Sequence, residues 1–145
     1  MFKRTASISA VIVAGLMLAS APAFAEVINY GADLNGASEV PKNDSAGTGK
    51  LEATYDTDSK AFAWTVTYEG LTGDATAAHF HGPASADANA PPVVPITGAL
   101  ASPIKGTATL TDEQAGQLKD GQWYFNVHTA AHPDGEIRGQ VTAAK

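Results

Sequence analysis

Between Ala61 and Tyr68 the chain alternates without a break: Phe62, Trp64, Val66 and Tyr68 are separated by Ala63, Thr65 and Thr67. A period of two puts every apolar ring on one side of an extended strand, so this stretch is suited to a half-buried strand and not to a helix. Leu51, Ala53 and Tyr55 repeat the pattern just upstream, and Asp56-Thr57-Asp58-Ser59 between the two runs is rich in turn formers. Residues 48–68 therefore read as a β-hairpin. Further along, Trp123, Phe125 and Val127 alternate with Tyr124, Asn126 and His128, and Ile137, Gly139 and Val141 alternate with Arg138, Gln140 and Thr142. Pro133-Asp134-Gly135 joins these runs. Proline fixes φ and glycine accepts positive φ, so 122–143 is a second hairpin.

Only one helix signal interrupts this pattern. Thr111 is a cap for a short helix over 112–119, with Gln114 three residues on completing a capping box. Asp112 and Glu113 suit the positive end, Leu118 is the apolar anchor, and Gly121 ends it. Residues 82–103 hold five prolines among small residues and read as one long loop, of a length that is often functional. The pattern predicts an all-β domain, a Greek-key β-sandwich or small β-barrel with one short helix and a long Pro-rich loop.

The N-terminus reads as an export signal. Lys3 and Arg4 precede an apolar run from Ile8 to Leu18, and Ala23-Phe24-Ala25 is an A-x-A site. Cleavage after Ala25 leaves 26–145 as a single domain of 120 residues, bound for the bacterial periplasm or the exterior. No second apolar segment reaches membrane length. Without Lys3 and Arg4 there remain seven basic and fifteen acidic residues, a net of −8. That balance argues against nucleic acid, which demands clustered Lys and Arg, and favours cations or a basic partner. Cysteine is absent despite the export signal, so the core must hold the fold without disulfides.

All four histidines fall in two short clusters, His79-Phe80-His81 and His128-Thr129-Ala130-Ala131-His132. With no cysteine and both methionines in the leader, imidazole is the remaining borderline metal ligand. In a strand, His79 and His81 share one face while Ala78 and Phe80 take the other, which is the core. His128 likewise lies opposite Trp123, Phe125 and Val127. His132 sits beside the turn, where the chain folds it back. Three or four imidazoles on strand ends make a copper site, with zinc as the alternative. Asp134 or Glu136 is positioned to orient an imidazole, and Arg138 to pair with an acid or attract an anion. Taken alone, each of these three fits a surface ion pair on an edge hairpin better than such a role.

Several segments together resemble the CHRD domain family, found in chordin and in bacterial exported proteins. They are Asp33-Leu34-Asn35-Gly36-Ala37-Ser38-Glu39-Val40-Pro41, Ala78-His79-Phe80-His81-Gly82-Pro83-Ala84, Trp123-Tyr124-Phe125-Asn126-Val127-His128-Thr129, and Gly135-Glu136-Ile137-Arg138-Gly139-Gln140-Val141. The resemblance places His79, His81 and His128 at characteristic histidine positions, and His132 where asparagine also occurs. A looser similarity to copper-zinc superoxide dismutase departs from it in lacking the disulfide and the zinc loop. Three functions follow in order. The first is an exported copper protein for storage, delivery or resistance. The second is a non-catalytic structural, adhesion or protein-binding module, with a protein partner or a second copy of the chain. The third is a dismutase-like copper enzyme.

Overall fold

A computed structural model describes residues 24–145. The expected export signal, residues 1–25, lies outside the described residues apart from Phe24 and Ala25. Eight antiparallel strands form one sheet: β1 (Val27–Asn35), β2 (Thr48–Asp56), β3 (Ala61–Glu69), β4 (Ala75–His81), β5 (Pro92–Pro95), β6 (Ile104–Thr109), β7 (Trp123–Thr129) and β8 (Ile137–Ala143). Their order across the sheet is β5-β4-β7-β8-β1-β2-β3-β6. Both expected hairpins are present, β2–β3 with Tyr55 opposite Phe62 and β7–β8 with Val127 opposite Ile137. The all-β class holds. Among the described residues no helix is long and apolar enough to cross a membrane.

The sheet curls until its two halves share one core. Phe62 on β3 and Phe80 on β4 belong to opposite ends of the strand order, yet their ring centroids are 5.2 Å apart. Trp64 meets Phe80 at 5.1 Å and Phe62 meets Trp123 at 5.9 Å, both edge to face, the favoured geometry of aromatic pairs. The result is barrel-like, with β5 and β6 as its two free edges. Close approach demands glycine at Gly106, across from Trp64, where a Cβ would run into the indole. The helix α1 (Asp112–Lys119) is capped as its sequence predicts, with Gln114 N–H donating to Thr111 Oγ1 at 3.1 Å and Thr111 N–H to Gln114 Oε1 at 3.0 Å. Its Leu118 is fully buried in the core.

The segment 82–103 departs from expectation. It is not a loop throughout: Pro92–Pro95 forms β5, pairing with β4 through Phe80 and Val94. Proline has no N–H to give a ladder, and it is tolerated here because β5 is an edge with only one neighbour. Val94 fills the core beneath it. The alternation pattern also does not single out β1, which lies centrally between β8 and β2, or β6.

Candidate metal centre

Strands β4 and β7 run side by side, with His79 opposite Asn126, His81 opposite Tyr124 and Ala77 opposite His128. Phe80, Phe125 and Val127 go to the core, so parity puts His79, His81, Tyr124, Asn126 and His128 together on the other face. The two histidine clusters converge there. One ligand nitrogen from each of His79, His81 and His128 lies within 4.8 Å of the others. His79 Nδ1 and His128 Nε2 are 3.3 Å apart. Two imidazoles bound to one ion at tetrahedral angles would stand about 3.3–3.4 Å apart, given metal–nitrogen bonds of about 2.0–2.1 Å. That pair is already at coordination spacing, and His81 must close a little further.

Main-chain carbonyls select the nitrogen each ring presents. A carbonyl only accepts, so Pro133 O, 2.9 Å from His128 Nδ1, holds the proton there and leaves the Nε2 lone pair facing His79. Ala90 O does the same at His81 Nδ1, at 2.8 Å. His81 Nε2 then lies 3.0 Å from Asn126 Oδ1. That contact needs either the imidazolium or an Asn126 amide rotated to offer its NH2. Burial lowers the pKa of both His79 and His81. The neighbouring imidazoles add to this at His79, while at His81 hydrogen bonds to Ala90 and Asn126 pull the other way. Neutral imidazole is the form that binds metal.

The three acidic or basic residues expected nearby go elsewhere. Glu136 is fully buried but faces away from the histidines. Ser45 Oγ donates to it at 2.6 Å, Thr129 Oγ1 at 2.6 Å, and Thr72 through both its N–H and its hydroxyl at 2.8 Å. Burial raises its pKa, and these donors outweigh that and hold it at about 2. Arg138 is 1% exposed, lies over the Tyr124 ring at 3.5 Å, and donates to Asn89 Oδ1, Ser85 O and Ala88 O. Neither of these two forms the surface ion pair considered for it, because both side chains are buried and bonded to neutral partners, and the β7–β8 hairpin lies inside the sheet and not at its edge. Asp134 is exposed in the turn. His132 stands outside the triad. Its main chain closes the turn, accepting from Gly135 N–H at 3.1 Å and exchanging bonds with Thr129.

Other members of this face carry no motif that marks them. Tyr124 stacks on His81 with centroids 4.8 Å apart and planes 2° from parallel. Asn126, bonded to His81, also lies beside Glu39, a buried carboxyl whose Oε1 has no hydrogen-bond partner. Burial pushes Glu39 up to about 7, against the Arg138 charge, the Asn126 amide and the Val40 N–H. Parity with His128 was the available signal for Tyr124 and Asn126. Glu39 comes from a separate segment after β1, which no local pattern could bring here.

The CHRD domain family matches this chain over residues 30–141. The chain belongs to the CHRD domain family. The matched span runs from within β1 to within β8 and includes all three converging histidines of this CHRD domain. No curated protein and no solved structure matches the chain, so the comparison with superoxide dismutase rests on sequence features alone.

Proposed function

We propose that this CHRD domain is an exported copper-binding protein whose centre is built from His79, His81 and His128. One observation carries the reading: three imidazoles from two strands converge, two of them at coordination spacing. An all-nitrogen donor set favours copper over zinc, since divalent copper stands above zinc in affinity for such ligands. The residues would hold the ion through His128 Nε2, His79 Nδ1 and, once Asn126 yields it, His81 Nε2. Storage, delivery or resistance is the role we assign. Because three protein ligands leave a coordination position open, a superoxide assay on copper-loaded protein separates it from a dismutase-like role, with no turnover expected.

The test is calorimetric titration of tag-free protein spanning residues 26–145, with metal content measured after dialysis. The expected result is about one copper per chain, displacing zinc, with binding abolished in His81→Ala/His128→Ala and retained in His132→Ala. Wild-type protein that is folded and binds no copper sinks the reading. A competing role as an extracellular binding module draws on the bonds from His81 and His128 to Ala90 and Pro133, which fasten loops without a metal. In that case the double substitution lowers the melting temperature and copper leaves the wild type unchanged.

A further inference from the structure

The geometry points to Arg138 as the residue that positions His81, fixing its Nε2 as the nitrogen turned toward the centre; this rests on the three-histidine reading. Arg138 touches none of the three histidines in a hydrogen bond, yet two separate paths lead from its guanidinium to the His81 ring. Along the first, Nη1 donates to Asn89 Oδ1 at 2.9 Å, and Nη2 donates to Ala88 O at 2.8 Å and Ser85 O at 3.2 Å. Those three bonds gather residues 85–89 over the face of the sheet. The next residue, Ala90, presents the carbonyl that takes the His81 Nδ1 proton. Along the second path, the guanidinium lies on the Tyr124 ring, and Tyr124 stacks flat on His81. The phenol is held between them, since one face of the ring cannot accommodate both. Its hydroxyl also donates to Ala90 O at 3.2 Å, which ties the two paths together.

The chemistry suits arginine alone. A planar fork donates to several carbonyls at once and still offers a flat surface to a ring, which a lysine ammonium cannot do. One path sets the tautomer of His81 and the other sets the plane of its ring. Without them, His81 is free to expose Nδ1 or to swing away, and the centre falls to the His79–His128 pair. Partners of this kind, acting through a ligand, typically change metal affinity about 10–100-fold.

The test has a metal-free arm and a copper arm. In metal-free wild type, nitrogen NMR shows His81 as the Nδ1–H tautomer. Arg138→Met, which fills similar volume without the fork, loses that preference, and Arg138→Lys does not restore it. With copper, electron paramagnetic resonance of Arg138→Met shows one fewer coordinating imidazole, and affinity falls about 10–100-fold. His81→Ala falls to the same level, and the two substitutions combined are no worse than His81→Ala alone. Additive losses, or an unchanged His81 tautomer in a folded variant, overturn the proposal. Should Arg138→Met fail to fold, Asn89→Ala cuts one of the three loop bonds, and it must shift the tautomer in the same direction. Wild type that shows the tautomer and binds no copper overturns the metal reading and the proposed purpose together, while the positional link from Arg138 to His81 is still read in the NMR arm.

Discussion

Strand β7 is buried on both faces, by opposite means. Trp123, Phe125 and Val127 press into an aromatic core shared with Phe62, Trp64 and Phe80. Tyr124 and Asn126, on the other face, are as well hidden at 2% and 3% exposed, but no second layer of sheet covers them. Residues 85–90 cover Tyr124, held by bonds to Arg138, His81 and Tyr124, and Glu39 with the turn at Gly135 lies against Asn126. The first face is non-directional and tolerates only close packing. The second depends on donors and acceptors finding each other, and its histidines remain partly reachable at His79 and His128. A binding site can be built on the second face without opening the core.

The largest expected effect separates the two faces by stability. Phe125→Ala leaves a cavity against Phe80, whose ring centroid is 4.8 Å away, and costs about 3–5 kcal/mol. Asn126→Ala, one residue on, costs about 1–3 kcal/mol, the penalty for stripping buried polar groups of a partner. Urea denaturation of both variants checks this. Equal losses would mean that the site face is packed as the core is.

Two buried glutamates sharpen the contrast through pH. Glu136 is bonded to Thr129, which shares the core parity of β7, and is held at about 2 against an ordinary 4.5. Its folded pKa is depressed, so its contribution is present above pH 4.5 and is lost as pH falls toward 2. Glu39, beside Asn126 on the site face, is raised to about 7. It binds a proton more tightly when folded, so its contribution is complete below pH 4.5 and is lost as pH rises through 7. Each shift corresponds to about 3 kcal/mol across its window. Taken alone, these two groups slope stability down on both sides of 4.5. The lowered pKa values of His79 and His81 oppose the neutral limb, so urea midpoints are compared between each variant and wild type. Glu136→Gln flattens the acid limb and Glu39→Gln the neutral one. A Glu39→Gln protein that keeps the neutral slope would show that some other group produces it.

The sequence is legible where one face of a strand decides the matter, and opaque where distant segments meet. Phe62, Trp64 and Val66 announce β3 because alternation is a local property, and Thr111 with Gln114 announces α1 for the same reason. The parity of His79, His81 and His128 was equally local and placed all three on the face where they meet. Their adjacency was not, because it needs β4 beside β7, strands separated in sequence by β5, β6 and α1. Pro92 and Pro95 suggested a loop because local propensity cannot see that β5 is an edge. Arg138 and Glu136 looked like surface charges for a related reason. Each is hidden by a segment far away in the chain, residues 85–89 in one case and Ser45 with Thr72 in the other. Polar burial leaves no period in the sequence.

The smallest expected effect is the most discriminating. Tyr124→Phe keeps the ring between Arg138 and His81 and removes only the hydroxyl, which donates to Ala90 O and accepts from Ala90 N–H, both at 3.2 Å. The loss is about 0.5–1.5 kcal/mol of local hydrogen bonding. Because residues 85–90 pack little apolar surface, that energy should come from local opening and not from the global transition. Hydrogen exchange should therefore quicken at the Ala90 amide, while amides of Phe125 and Val127 on the same strand keep their rates. Should the core amides quicken equally, the two faces of β7 would be one cooperative unit, and the separation between a rigid core and an adjustable site face would fail.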